Sequence, residues 1–173
     1  VGYEVTTYRI DGEYEDGRHP KEVEFTSNLL EDLKRRDFTI NAMAYNPKEG
    51  LVDAFEGIQD LKEKRIRCVG NALERFTEDA LRILRAIRFS AQLGFSIEES
   101  TWEAIKVIAP NLIHVSKERI QVELTKLLLS NHPDEIRKVF DRELDTRICA
   151  DFPKINPAQI AIDPGLPKEK HMR

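Results

Sequence analysis

Thr77-Glu78-Asp79-Ala80-Leu81-Arg82-Ile83-Leu84-Arg85-Ala86-Ile87-Arg88-Phe89 is the stretch on which the reading of the fold turns. Leu81, Leu84 and Ile87, continued by Ala91, recur at the spacing that lines one face of an α-helix. Thr77 is the residue type that caps a helix start, Glu78 and Asp79 place negative charge in a first turn, and Gly94 is a natural stop. One helix from Thr77 to Gly94 is therefore predicted. Downstream, further helices fit Ile97 to Ile108, Lys117 to Leu129 with Ser116 as cap, and Pro133 to Phe140 with proline in the first turn.

Upstream of Gly57 the pattern differs. Gly2 to Ile10 and Glu22 to Thr26 are β-branched, aromatic and alternating, with the turn dipeptides Asp11-Gly12 and Asp16-Gly17 between them, so two strands joined by a charged loop are predicted. Ser27 is placed to cap a short helix through Lys34 whose apolar stripe is Leu29, Leu30 and Leu33. Phe38 to Tyr45 fits neither period, and Leu51 to Phe55 reads as another strand. The fold class is thus α+β: a small sheet unit over residues 1–57, a helical unit over 58–141, and a proline-broken linker or the start of a further body domain over 142–173.

Composition narrows the function classes. The 173 residues carry 27 Lys plus Arg against 31 Asp plus Glu, a net charge of −4, which argues against a protein that coats nucleic acid through overall charge. No apolar run reaches the roughly 18 residues of a membrane helix and no signal-peptide pattern is present, so a cytoplasmic protein without membrane partners is expected. Cys68 and Cys149 are far apart and read as reduced thiols. His19, His114, His132 and His171 have no partners at metal-ligand spacing, and phosphate-loop and Ser/His/Asp signatures are missing.

Two clusters carry chemistry. Arg35, Arg36, Asp37 and Asn41 offer guanidinium forks for phosphate, a carboxylate for a sugar hydroxyl and an amide for either; the preceding Glu31 to Lys34 run also fits a solvated helix face. Asp79 and Arg82, three apart on a helix, stand within about 5–6 Å of each other. An acceptor beside a rigid donor fork complements cytosine and adenine, which present an amino donor next to a ring-nitrogen acceptor. The same spacing equally fits a salt-bridge set of Glu78 and Asp79 with Arg82, worth a few tenths of a kcal/mol. Arg85 and Arg88, with Lys117 and Arg119, form a candidate basic stripe for an RNA backbone or an ordinary solvated surface.

These residues resemble a known family, the class II tRNA nucleotidyltransferases or CCA-adding enzymes, with their relatives the bacterial poly(A) polymerases. The resemblance runs from about Tyr3 to Leu129 and rests on Glu4-Val5-Thr6-Thr7-Tyr8-Arg9, Arg35-Arg36-Asp37-Phe38-Thr39-Ile40-Asn41-Ala42, Asp53-Ala54-Phe55-Glu56-Gly57 and Glu78 to Phe89, in the family's order. It implies part of a polymerase β-like nucleotidyltransferase head followed by an all-helical neck. It also implies CTP and ATP as substrates, tRNA as partner and Mg²⁺ as cofactor. By this resemblance Arg35, Arg36, Asp37 and Asn41 contact the nucleotide's ribose and phosphates, and Asp79 and Arg82, with Glu78, form a template for the base. Val115 to Ile120 resembles a later neck motif that supports the template helix. Ala54 stands where the family usually has proline, which should alter only the loop. The family's Asp-x-Asp metal pair has no counterpart here, so the chain is expected to be an internal piece that is inactive alone, with Glu4 as a weak candidate metal ligand. A poly(A) polymerase, a CC- or A-adding relative, and a non-catalytic RNA-binding helical module are the alternatives, and an uncovered sheet edge would invite self-association.

Overall fold

A computed structural model of the chain describes residues 2, 5–12 and 21–135. Glu4, Asp16-Gly17, His19, Cys149, His171, the end of the helix expected from Pro133 and the whole of 142–173 lie outside the described residues. Strands β1 (Arg9–Asp11) and β2 (Val23–Phe25) pair antiparallel, with Ile10 opposite Glu24. Helix α1 (Leu29–Lys34) follows, but Asn28 rather than Ser27 caps it: its side-chain oxygen accepts the Leu30 N–H at 3.0 Å. Asn28 is itself anchored through its N–H to the Thr26 hydroxyl at 3.0 Å. The buried face of α1 consists of Leu33 and Asp32, while Leu30 is exposed.

The segment with no clear period has a physical reason for lacking one. Phe38 bridges to Cys68, Thr39–Asn41 form a single 3₁₀ turn, and β3 (Ala44–Asn46) pairs antiparallel with β4 (Gly50–Val52). Each piece is too short to express a repeat. The expected strand to Phe55 stops at Val52 because the Asp53 carboxylate turns to the start of helix α2 (Gly57–Lys62), accepting the N–H groups of Gly57 at 2.7 Å and Ile58 at 2.9 Å. Gly57 packs against the 3₁₀ turn so closely that a β-carbon would sit 2.4 Å from the Thr39 carbonyl oxygen.

Strand β5 (Arg65–Ile66) runs parallel to β6 (Ser96–Ile97), closing a loop that contains helices α3 (Ala72–Glu78) and α4 (Leu81–Leu93). The single helix expected from Thr77 is therefore two. Thr77 lies in the last turn of α3, its hydroxyl donating to the Leu73 carbonyl at 2.8 Å, and the chain breaks at Asp79, whose backbone is extended (φ −151°, ψ 102°). Gly94 ends α4 with φ 67°, a left-handed conformation that glycine adopts without strain. Helix α5 (Glu99–Ile108) is capped by Glu98, and α6 (Lys117–Leu128) begins after Ser116, whose side chain makes no capping bond.

Helix α4 packs on α6 and α3 on α5. One apolar core joins them, from Phe38 and Ile66 through Phe76, Leu84 and Ile87 to Ile105 and Leu127, so packing is continuous across residue 57. Cys68 sits in this core as a free thiol, and burial pushes its pKa up to about 12.

Candidate functional site

The loop after α1 is fixed by backbone bonds to the chain leading out of β5. Thr39 N–H donates to the Arg67 carbonyl and Val69 N–H to the Asp37 carbonyl, both at 3.0 Å. Beneath it lies Asp60 of α2, fully buried, which accepts from the Thr39 hydroxyl at 2.6 Å, Arg65 Nε at 2.7 Å and Arg67 Nε at 2.8 Å. Burial works against its charge, but these donors outweigh it and hold the carboxyl below the usual carboxylate range. Asp32 does the same on the other side. Burial opposes its ionisation, yet hydrogen bonds from Arg35, the Arg9 N–H and Arg36 keep its pKa low. In this way one buried carboxylate orients two neighbouring guanidinium groups: Asp60 those of Arg65 and Arg67, Asp32 those of Arg35 and Arg36.

Between the loop and the break separating α3 from α4 lies an open cavity of about 530 Å³, lined by Arg35, Arg36, Asp37, Asn41, Asp79, Leu81, Arg82, Arg85 and Arg119. Asp37 accepts from Phe38 N–H at 2.9 Å and Asn41 Nδ2 at 3.4 Å through one oxygen, and from both Nε and Nη2 of Arg85, at 2.7 and 2.6 Å, through the other. Asp79 caps α4 by accepting the Leu81 N–H at 3.1 Å and holds Arg119 of α6 at 2.7 Å. Arg82 reaches across to the Arg35 carbonyl at 3.3 Å and the Arg75 carbonyl at 2.9 Å, while Glu78 binds both Arg75 and Arg82. Five arginines thus face a lining with two aspartates, a positive basin within an acidic chain.

The structure brings together in one lining Arg35, Arg36, Asp37, Asn41, Asp79 and Arg82, all singled out in the sequence for the nucleotide, with Arg85 and Arg119, which the sequence places in the candidate basic stripe. Glu78 lies behind Arg82, on a neighbouring cavity of about 160 Å³ shared with Asp11 and Lys34. Lys117 is exposed at the start of α6, off the basin. Arg88 has to be taken off the basic stripe: it is only 6% exposed, its Nε donates to buried Glu123 at 2.5 Å, and its guanidinium stacks 4.0 Å from the Phe89 ring centre. Every third residue of a helix does not stay on one face, and Arg88 has rotated into the α4–α6 contact. Asp60 and Glu123 carry no sequence signal because their partners are set by tertiary packing, and Asp32, in the run that also fits a solvated helix face, is instead buried for the same reason.

No group of three or more His, Cys, Asp or Glu side chains able to hold a metal ion occurs among the described residues. Asp37 and Asp79 are each engaged by an arginine, so the basin's donor set suits an anion and does not fit Mg²⁺. No helix of the described residues is long and apolar enough to cross a membrane.

Residues 1–67 match the poly A polymerase head domain family, and residues 94–144 match the family described as "Probable RNA and SrmB- binding site of polymerase A". The CCA-adding enzyme of Oceanobacillus iheyensis is 56% identical over 147 residues, which is 84% of this chain and 37% of that protein. The crystal structure of the Bacillus stearothermophilus CCA-adding enzyme in complex with CTP superposes with a TM-score of 0.68 at 44% identity, covering 76% of this chain and 31% of that one. The Thermotoga maritima CCA-adding enzyme complexed with tRNA gives a TM-score of 0.67 at 40% identity, covering 78% and 34%. The chain spans about a third of the length of the curated relatives it matches.

Proposed function

The chain belongs to the family of CCA-adding enzymes and poly(A) polymerases, and from that premise we propose that its arginine-rich basin is the nucleotide-selecting site of a cytoplasmic tRNA nucleotidyltransferase that adds C, C and A to tRNA 3′ ends. The observation that carries this reading is the single cavity in which phosphate-type donors (Arg35, Arg36) and a carboxylate–guanidinium pair (Asp79, Arg82) face the same space. The basin's positive excess offsets a triphosphate, and Asn41 and Asp37 lie beside it for the ribose. At the other end Asp79 accepts from an exocyclic amino group and Arg82 donates to the adjacent ring nitrogen, a pattern met by cytosine and adenine but reversed in guanine and uracil. Arg85, Arg119 and exposed Lys117 then face the acceptor RNA.

Mg²⁺ supplies the charge neutralisation that phosphoryl transfer needs, and its ligands belong outside this basin. The exposed apolar side chains of β2, Val23 and Phe25, offer an edge for self-association. The test is binding of CTP, ATP, GTP and UTP to this chain, together with labelled incorporation into tRNA lacking its 3′ CCA by a protein of the relatives' full length carrying these residues. Preference for CTP and ATP with addition of C, C and A is the expected result. Acceptance of ATP alone moves the assignment to poly(A) synthesis, and equal binding of all four removes the base-reading role.

A further inference from the structure

Arg85 bridges two carboxylates that come from different parts of the chain. Its Nε and Nη2 grip Asp37, and its third nitrogen, Nη1, stands 4.0 Å from Oε1 of Glu123 on α6. Glu123 is 4% exposed, its other oxygen takes Nε of Arg88 at 2.5 Å, and Lys126 Nζ lies 4.0 Å from Oε1 at the surface. Signs therefore alternate along the row Asp37, Arg85, Glu123, Arg88. Asp37 belongs to the segment matching the head domain and Glu123 to the segment matching the RNA-binding region, while Arg85 lies in neither.

Resting on the nucleotide-site reading above, we infer that Glu123 is a positioning residue: its buried charge holds the back of the Arg85 fork so that Arg85 presents Asp37 to the nucleotide. A guanidinium has a planar fork with its N–H groups in fixed directions, so where one edge is bidentate to Asp37 the remaining nitrogen must face a definite partner. A buried carboxylate 4.0 Å away attracts that nitrogen with little solvent screening. Without the charge, Arg85 is drawn toward the basin's solvent and toward bound phosphate, and Asp37 loses the donors on its Oδ2, keeping only Phe38 N–H and Asn41 on Oδ1. Helix α6 would then set nucleotide affinity through a residue that touches no nucleotide.

The test is calorimetric CTP affinity of the full 173-residue chain and of three variants: Glu123→Gln, Arg88→Met, and the two combined, which leaves no orphaned buried charge should Glu123→Gln alone unfold. Both variants lacking the carboxylate should bind CTP about three- to tenfold more weakly, and the loss should be non-additive with Asp37→Asn. Arg88→Met, which disturbs the same packing and leaves the Glu123 charge to Arg85, should be less stable yet bind CTP at least as tightly as the unaltered chain. Affinity that follows thermal stability across all three variants overturns the inference and leaves the nucleotide site standing. Failure of the unaltered chain to bind CTP overturns both.

Discussion

At the scale of the residue, Asp79 and Arg82 make the sharpest prediction. Asp79→Asn converts an acceptor oxygen into a donor amide and so mismatches the exocyclic amino groups of cytosine and adenine. Discrimination of CTP and ATP against UTP and GTP should fall by about 1–3 kcal/mol, read as the ratio of dissociation constants. Unchanged ratios would remove the base-reading role from Asp79. Asp60 makes a prediction about pH. Its carboxyl is held below the ordinary value in the folded chain, so the stability it contributes is fully present above the unfolded pKa and is lost as pH falls through the lower, folded one. Thermal midpoints should therefore decline below about pH 4, and Asp60→Asn should lower the midpoint at neutral pH while flattening that acid decline. An equally steep acid decline in the variant would shift the cause to Asp32, which is held low in the same manner.

Elements show where sequence reading succeeds and where it stops. Helices α5 and α6 were legible from their apolar period, and Gly94 from its residue type. The break between α3 and α4 was not, because Glu78 and Asp79 fit equally well the first turn of one helix starting at Thr77. It exists because Arg119, forty residues on, binds the Asp79 carboxylate while that carboxylate caps α4. The residues that line the basin from the loop after α1 could be picked out because charge and amide groups crowd one short stretch. Their supports could not, since Asp60 reaches Thr39 only after α2 has folded back onto the 3₁₀ turn. That contact also yields a prediction. Gly57→Ala would place a methyl group against the Thr39 carbonyl, so α2 and the turn carrying Asn41 must separate. A loss of about 1–3 kcal/mol in urea unfolding, with weaker CTP binding, is expected. A variant as stable as the parent would show that α2 can shift without cost.

At the scale of the whole molecule, the continuous core sets how the chain melts. Phe38, from the sheet-bearing half, packs edge-on against Phe89 of α4 at 5.8 Å between ring centres, and the cluster extends without a gap to Leu127. The described region should therefore unfold in one calorimetric transition, with the van't Hoff and calorimetric enthalpies equal. Two resolved transitions would place a true boundary inside it. The basin lies where these halves meet, so nucleotide binding should raise that single midpoint. The Asp79 break adds a constraint on how such a molecule can drift over generations. One residue ends one helix through its backbone N–H and, through its carboxylate, starts the next, anchors a third and lines the basin. A mutation that altered which nucleotide is read would have to replace a helix cap and an ion-pair partner in the same step. On the proposed assignment, base choice and the integrity of the fold would pass together from parent to descendant through Asp79.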